Sequence, residues 1–442
     1  MQDKIYTAGI YTLGCKVNQY ESEAIAERLK AHGIEISKPS SVCDIYIINT
    51  CTVTAESDRK ACQFIRRAIQ KNPDAYVLVT GCLAQTDAER VAAISGVDYI
   101  SGNTDKLSVA DYAAELIRRG KKKDSPVIAV RDINESGFEK MSITEFGRTR
   151  AYVKIEDGCE SKCAYCIIPS ARGKIRSKEP SDVLAEVRAL VGGGCREVVL
   201  TGIETASYGR DLGGVDLADL LVAVDCIDGL ERMRLGSLDP SLISKKFVEK
   251  IAPLSTIAPH FHLSLQSGSS RVLAAMKRKY NAQMAMRAIE LIREYIPNAQ
   301  FTTDVIVGFP GETDEDFEDT VRFAKAARFL MIHVFPYSKR RGTLAAQMKD
   351  QVPPDIKRQR AERLSAVASE IRNEILTEQI GKTHAVLFET YRDGIAHGHT
   401  ASFIEIAVRA DRALTDMILD VKITSVENNT CIGVIDMRGD AE

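Results

Sequence analysis

Through the first 120 residues, short apolar runs alternate with segments whose apolar positions recur every three or four residues. Ile5–Leu13, Asp44–Ile48, Ala75–Thr80 and Asp98–Ile100 have the strand character. Between them, Glu21–Lys30 (apolar at Ala24, Ile25 and Leu29), Arg59–Ile69, Ala88–Ile94 and Leu107–Ile117 have the helical period. This alternation predicts an α/β domain, a parallel sheet covered by helices on both faces. The basic run Arg118–Asp124 and the poorly patterned Glu135–Arg150 read as an exposed connection. From Ala151 the alternation resumes. Strands are expected at Ala151–Ile155, Glu197–Ile203, Arg232–Leu238, His260–Leu265, Phe301–Val307 and Phe329–Phe335. Helices are expected at Asp182–Val191, Leu217–Val224, Leu242–Lys250, Ala282–Arg293 and Asp314–Ala326. Six βα units predict a parallel barrel, complete or open, with its chemistry at the carboxyl ends of the strands. Pro353–Gln379 reads as a long charged helix with an apolar stripe at Ile356, Leu364, Val367, Ile371 and Ile375. Beyond Gly381, short alternating strands (His384–Glu389, Ile404–Val408, Met417–Val426, Thr430–Asp436) predict a small antiparallel barrel. The expected organisation is therefore residues 1–118, a linker over 119–148, an open (βα)6 barrel over 149–375, and the small barrel over 376–442.

Composition narrows the class of protein. The chain has 442 residues, 45% hydrophobic and 27% charged, as in an ordinary globular protein. No apolar run approaches the ~18 residues of a membrane span and no signal peptide opens the chain, so a cytoplasmic protein is expected. Eleven cysteines in such a chain point to ligands, catalytic thiols or buried residues, not to a disulfide frame. A formal net charge of −2 gives no global sign of a nucleic-acid partner, so any RNA site must be local.

Six cysteines stand out by position. Cys159, Cys163 and Cys166 follow C-x3-C-x2-C in a loop just after the first barrel strand. Thiolates suit iron–sulfur clusters, zinc or copper(I). Three in one loop can hold three corners of a cubane and leave one iron open; a zinc loop awaiting a fourth ligand is the alternative. Cys15, Cys51 and Cys82 each end an N-terminal strand, where open parallel sheets collect ligands. Simple burial is the other reading of such cysteines, and it is the one applied to Cys43 and Cys62. On the barrel rim, Thr201–Glu204, Ser237–Asp239, Gln266–Gly268 and Val307–Glu312 are polar or glycine-rich turns, each weak alone.

These motifs together carry a resemblance. C-x3-C-x2-C after the first strand of a βα barrel, with Tyr165 before the last cysteine, looks like a radical S-adenosylmethionine enzyme. Thr12-Leu13-Gly14-Cys15-Lys16-Val17-Asn18-Gln19-Tyr20-Glu21-Ser22, Asn49-Thr50-Cys51-Thr52-Val53 and Thr80-Gly81-Cys82 resemble the methylthiotransferases. So do Gly158–Arg176, Leu265–Ser269, Asp304–Thr313, Phe335–Ser338 and Arg341-Gly342-Thr343, and the likeness spans almost the whole chain. Lys16-Val17-Asn18 is similar to the branch acting on N6-threonylcarbamoyladenosine in tRNA. The isopentenyladenosine branch tends to Gln-Met-Asn there and the ribosomal-protein branch to Pro-Lys-Asn.

The resemblance implies two 4Fe–4S clusters. Cys159, Cys163 and Cys166 would hold the one whose free iron chelates S-adenosylmethionine, and an electron from it would release a 5′-deoxyadenosyl radical. Tyr165 would meet the adenine, Gly202 and Glu204 the methionine amino group, and Ser237 and Gln266 the ribose or carboxylate. Cys15, Cys51 and Cys82 would hold an auxiliary cluster that carries the sulfur. The implied partners are a tRNA anticodon stem-loop, a sulfur donor and an electron donor such as flavodoxin or ferredoxin. The expected reaction is methylthiolation at C2 of the adenosine at position 37, next to the anticodon. The rivals are the same chemistry on isopentenyladenosine or a ribosomal-protein side chain, and a non-catalytic, zinc-containing RNA-binding protein.

The C-terminal segment looks like the TRAM domain this family uses to hold tRNA, an OB-like barrel, with Gly398–Phe403 in the place of a similar Gly-His-Thr/Ser…aromatic run. Yet from Leu376 to Glu442 there are six Lys/Arg against eleven Asp/Glu, a net charge of −5. Phosphate grip is therefore expected from a small patch (Lys382, Arg392, Arg409) or from Arg172, Lys174, Arg176, Lys178, Lys277, Arg278, Lys279, Lys339, Arg340 and Arg341.

Overall fold

A computed structural model describes residues 5–120, 125–147 and 149–436. Six parallel strands form the N-terminal sheet, in the order Glu35–Ser37, Thr7–Thr12, Ile45–Thr50, Tyr76–Gly81, Tyr99–Ser101 and Val127–Ala129. Ile45–Thr50 is buried at every position because both faces are covered. Tyr46 and Ile48 pack with Val77, Val79 and Ile65 on one side, and Ile45 and Ile47 with Leu78, Ile25 and Leu29 on the other. The chain runs outward in opposite directions from Thr7–Thr12 and Ile45–Thr50, which makes their carboxyl ends the crevice of an open sheet.

Three features depart from the sequence reading. The edge strands Glu35–Ser37 and Val127–Ala129 are three residues long and partly exposed, too short to show a period. The second lies in the stretch read as a linker, where Ile133, Met141 and Ile143 are also buried. Of the basic run Arg118–Asp124, residues 121–124 lie outside the described residues. Finally, the first helix spans Lys16–Ala31, five residues earlier than its apolar stripe indicates. Its first turns bury Asn18, Glu21 and Ser22 beside Val17 and Tyr20, so polar residues break the hydrophobic period there.

The central domain is an arc of parallel strands. Arg150–Lys154, Glu197–Thr201 and Arg232–Leu235 form one run, and Ser237–Leu238, His260–Gln266, Gln300–Val307 and Met331–Pro336 the next. The expected strand Arg232–Leu238 is interrupted at Gly236, whose N–H still donates to Leu200 O at 2.8 Å. The barrel is open: among the described residues its first and last strands do not pair. Helices Pro180–Gly192, Leu217–Asp225, Lys245–Ile251, Ala282–Tyr295 and Asp314–Ala327 clothe the outside. Capping boxes at Asp216 and Thr313 start two of them. The helix Pro354–Thr377 buries Leu364, Val367, Ile371 and Ile375 in the same core.

Five strands, Thr383–Arg392, Ile395–Thr400, Glu405–Arg409, Ile418–Glu427 and Thr430–Ile435, close the C-terminal barrel. It docks on the amino ends of the central strands. Phe403 lies 4.6 Å from the His260 ring and 4.8 Å from His399, with Arg150 and Arg234 over it at 5.3 and 5.0 Å. The Gly398–Phe403 run thus seats one domain on another, where tRNA contact was expected. No described helix is long and apolar enough to cross a membrane.

Candidate active site

Cys15, Cys51 and Cys82 follow three adjacent strands at the crevice of the N-terminal sheet. Cys15 caps the helix Lys16–Ala31 and Cys82 opens Cys82–Thr86. Each is preceded by a glycine at positive φ, +96° at Gly14 and +101° at Gly81. A Cβ at Gly14 would stand 2.7 Å from Cys51 Sγ, and one at Gly81 would stand 2.4 Å from Thr50 O. Only glycine allows the strand ends to come this close. Burial, with the Cys82 and Cys15 thiols nearby, pushes the Cys51 thiol up to about 12. Without a metal it is protonated at neutral pH, so ligation must displace a proton. Asn103 Nδ2 donates to Cys82 Sγ at 3.4 Å.

A buried ionic network beneath these cysteines joins the two domains. Glu21, fully buried, meets Arg172 at 2.5 Å, Lys106 at 2.7 Å and Lys154 at 2.8 Å. Arg172 also donates to Asn18 Oδ1 at 2.5 Å and pairs with Asp157 at 3.2 Å, which takes Lys154 at 2.7 Å. Asn18 in turn donates to Leu13 O and Thr50 O, so it ties the segments before Cys15 and Cys51 together. Three opposing cations hold the Glu21 carboxyl well below the usual carboxylate range despite its burial.

The second triplet sits in a loop pinned at both ends. Gly158, at φ +91°, passes so close to Lys174 O that a Cβ would fall 1.9 Å from it, and Cys159 N–H donates to Gly173 O. Glu204 accepts from Cys159 Sγ and from Ser161 Oγ, both at 3.1 Å. Arg278 donates to Cys163 Sγ at 3.2 Å and to Asp239 at 2.7 Å. Burial pushes the Cys166 thiol up to about 11. Gly202 is required where it stands, because a Cβ would lie 2.6 Å from Glu156 Oε2, the acceptor of the Glu204 N–H.

Both triplets face one cavity of about 360 Å³. It is lined by Cys15, Cys51, Cys82, Cys159, Cys163 and Cys166, and by Tyr165, Gly202, Glu204, Ser237 and Gln266. Asp239, from the expected rim turn, also lines it, together with Asn18, Asp304 and Arg278, for which the sequence gives no such place. Arg278 was read as a candidate for phosphate; instead its side chain is 8% exposed, on a thiol and an aspartate. Four more expected phosphate contacts are corrected in the same way. Arg172 is buried in the interdomain network, Arg176 and Lys178 are buried against Asp157 and Glu186 within the central domain, and Arg340 reaches Asp58 at 2.7 Å. A sequence carries no mark that separates a buried cation from a solvated one. Lys174, Lys277, Lys279, Lys339 and Arg341 are exposed, as are Lys382, Arg392 and Arg409.

The donor set suits iron–sulfur chemistry. Each group offers three thiols, all cysteines are free, and no histidine lines the cavity among the described residues. Structural zinc would ask each group for a fourth ligand.

Comparison with known proteins agrees with this chemistry. Residues 153–324 match the radical SAM superfamily, and residues 7–102 match a family described only as uncharacterized protein family UPF0004. Among solved structures, the radical S-adenosylmethionine methyltransferase TsrM from Kitasatospora setae superposes with a TM-score of 0.54, covering 74% of this chain and 72% of that one. At 16% identity it shows the fold alone. Fold and site thus define a radical S-adenosylmethionine enzyme. Two relatives carry the name threonylcarbamoyladenosine tRNA methylthiotransferase MtaB. That of Bacillus subtilis is 38% identical over 94% of this chain and 93% of its own, and that of Thermotoga maritima 35% over 98% and 97%. The tRNA-2-methylthio-N(6)-dimethylallyladenosine synthase of Desulfitobacterium hafniense is 37% identical over 85% of each. The chain belongs to the radical SAM methylthiotransferase family.

Proposed function

We propose that this enzyme places a methylthio group on C2 of N6-threonylcarbamoyladenosine at position 37 of tRNA, in the cytoplasm. The observation that carries the reading is the single cavity shared by the two cysteine triplets. Adenine C2–H offers no acid or base handle, so the reaction needs a hydrogen-abstracting radical and a sulfur source within reach of one bound base. In this reading Cys159, Cys163 and Cys166 hold one 4Fe–4S cluster and Cys15, Cys51 and Cys82 the other. When bound, the first supplies, with S-adenosylmethionine, the radical, and the second supplies the sulfur.

The chain's own residues place and isolate these groups. Arg278 sets a positive charge beside the Cys163 thiolate and is fixed by Asp239. Glu204 stands between the Cys159 loop and Gly202, positioned for a cofactor ammonium group, with Ser237 and Gln266 on the same wall and Tyr165 for the adenine. The Glu21 network fixes the distance between the triplets. A separate reductant, such as flavodoxin or ferredoxin, and a sulfur donor complete the system.

Overall identity does not choose the base, since relatives named for either N6 group lie at 37–38%. Lys16-Val17-Asn18 after Cys15 favours the threonylcarbamoyl form. Mass spectrometry of tRNA nucleosides from a strain lacking the gene tests it. The 2-methylthio derivative of threonylcarbamoyladenosine should vanish while its unmethylthiolated parent accumulates; unchanged levels, or loss of the isopentenyl derivative instead, contradict the reading.

A further inference from the structure

Below the shared cavity, the interior of the open barrel is polar. Parallel barrels ordinarily fill this space with branched apolar side chains. Here Arg234 donates to Glu197 at 2.8 Å, and Arg150 and Arg232 approach the same carboxylate at 3.5 and 3.8 Å. His260 and His262 share Thr302 Oγ1 at 3.0 and 2.9 Å, and His262 Nε2 lies 3.4 Å from Asp304, a cavity residue. A chain of polar contacts therefore runs from the cavity down to the Phe403 plug.

Three groups along it have unmet hydrogen-bonding capacity. Arg234 is 1% exposed, yet neither Nη has a hydrogen-bond partner. His260 is 4% exposed, and its Nδ1 is likewise unpartnered. Lys16, partly buried in the field of Arg234, Arg150, Asp304 and Glu197, makes no hydrogen bond or ion pair among the described residues. An unmet buried donor is destabilising, and a charged one more so. Nearby carboxylates leave this capacity unmet, since Glu197 takes only the Arg234 Nε–H while also drawing Arg150 and Arg232, and Asp304 faces His262. The free Nη groups of Arg234, the Lys16 ammonium and a ring N–H suit an oxyanion, which guanidinium and ammonium groups bind by charge-assisted hydrogen bonds. The space is reachable: the arc is open beside Met331–Pro336, where His333 is exposed and Phe335 is 42% exposed.

An RNA partner offers two oxyanions, a backbone phosphate and a carboxylate on the base's N6 arm. A subsite beneath the cavity that receives the base is where an arm of that base would project. We propose that Lys16, Arg234 and His260 form an oxyanion subsite that takes the carboxylate of the N6 substituent of the target adenosine. An uncharged isoprenoid arm there would leave the Arg234 Nη groups and the Lys16 ammonium unmet, which is discrimination by penalty as well as by attraction. The inference rests on the threonylcarbamoyl reading and names the residues that select it. Lys16 directly follows Cys15, so selection of the arm and delivery of sulfur are built into one turn of chain.

The test uses the iron-loaded chain and anticodon stem-loop RNAs bearing threonylcarbamoyladenosine, its carboxylate methyl ester, or isopentenyladenosine. Binding is read by fluorescence anisotropy, and turnover by nucleoside mass spectrometry. The wild type should bind the acid at least about tenfold tighter than the ester, the scale of one charge-assisted contact. Lys16→Met should bring the two within about twofold. Equal affinity of the wild type for acid and ester would overturn the inference. So would a Lys16→Met variant that weakens every RNA equally, because that would mark a backbone-phosphate site. Turnover of threonylcarbamoyl RNA without an ester penalty would overturn this subsite alone. Turnover of isopentenyl RNA only would overturn the substrate reading and the subsite with it.

Discussion

Cys51 and Cys163 sit in one cavity but belong to different triplets, so their removal should have separable effects. Cys51→Ala should lower the iron of anaerobically reconstituted protein from about eight to about four per chain, and Cys163→Ala should remove the other four. Full iron in either variant would mean that the grouping is wrong. Glu21 makes a different prediction. Glu21→Gln leaves Arg172, Lys106 and Lys154 buried without their common anion, which should cost about 3–5 kcal/mol, read as a lower urea midpoint. The convergence of the six cysteines on one cavity was legible in the sequence because their spacing to strand ends is local information. Glu21, Asp239 and Arg278 were not, since their roles depend on partners up to 151 residues away, as in the Arg172–Glu21 pair. The unmet Nη groups of Arg234 and the lone Lys16 ammonium are visible only when every neighbour is in place.

Strand and helix alternation located every long element of the first two domains, because burial on both faces gives strands an unbroken apolar run. What escaped were segments whose signal is short or polar. The edge strands are examples, as are the first turns of Lys16–Ala31 and the strand Ile395–Thr400, whose glycine and histidines hide it. Glycines at the strand ends are where element geometry meets the site. Gly81→Ala would place a side chain at φ +101° with its Cβ 2.4 Å from Thr50 O. The strand end must then move, and the expected result is loss of the iron tied to Cys82, with S-adenosylmethionine cleavage retained. At the other end of the barrel, Phe403→Ala removes an aromatic plug held by His260, His399 and two arginines. A truncation of this kind costs about 3–5 kcal/mol. It should make the joint between Pro354–Thr377 and the C-terminal barrel more sensitive to limited proteolysis.

On the scale of the molecule, neither the net charge of −2 nor the acidic C-terminal barrel supplies an RNA-binding field. The exposed bases lie closer to the site. Lys277 and Lys279 flank the buried Arg278, and Lys339 and Arg341 flank Arg340, so each inward arginine is bracketed by two cations in solvent. Replacing Lys339 and Arg341 by glutamate should weaken stem-loop binding and reduce the slope of log K against log[salt] by roughly 0.7–0.9 per lost phosphate contact. An unchanged slope would move the RNA path elsewhere. If two triplets with distinct duties share one chamber, loss of one should spare the product of the other, and this separation is directly measurable. It is tested most directly by measuring 5′-deoxyadenosine and methylthiolated nucleoside together, by mass spectrometry, in reactions of wild type and Cys51→Ala with threonylcarbamoyl stem-loop RNA. Both products are expected from the wild type and only 5′-deoxyadenosine from Cys51→Ala. Methylthiolated nucleoside from Cys51→Ala, or neither product from iron-loaded wild type, would contradict it.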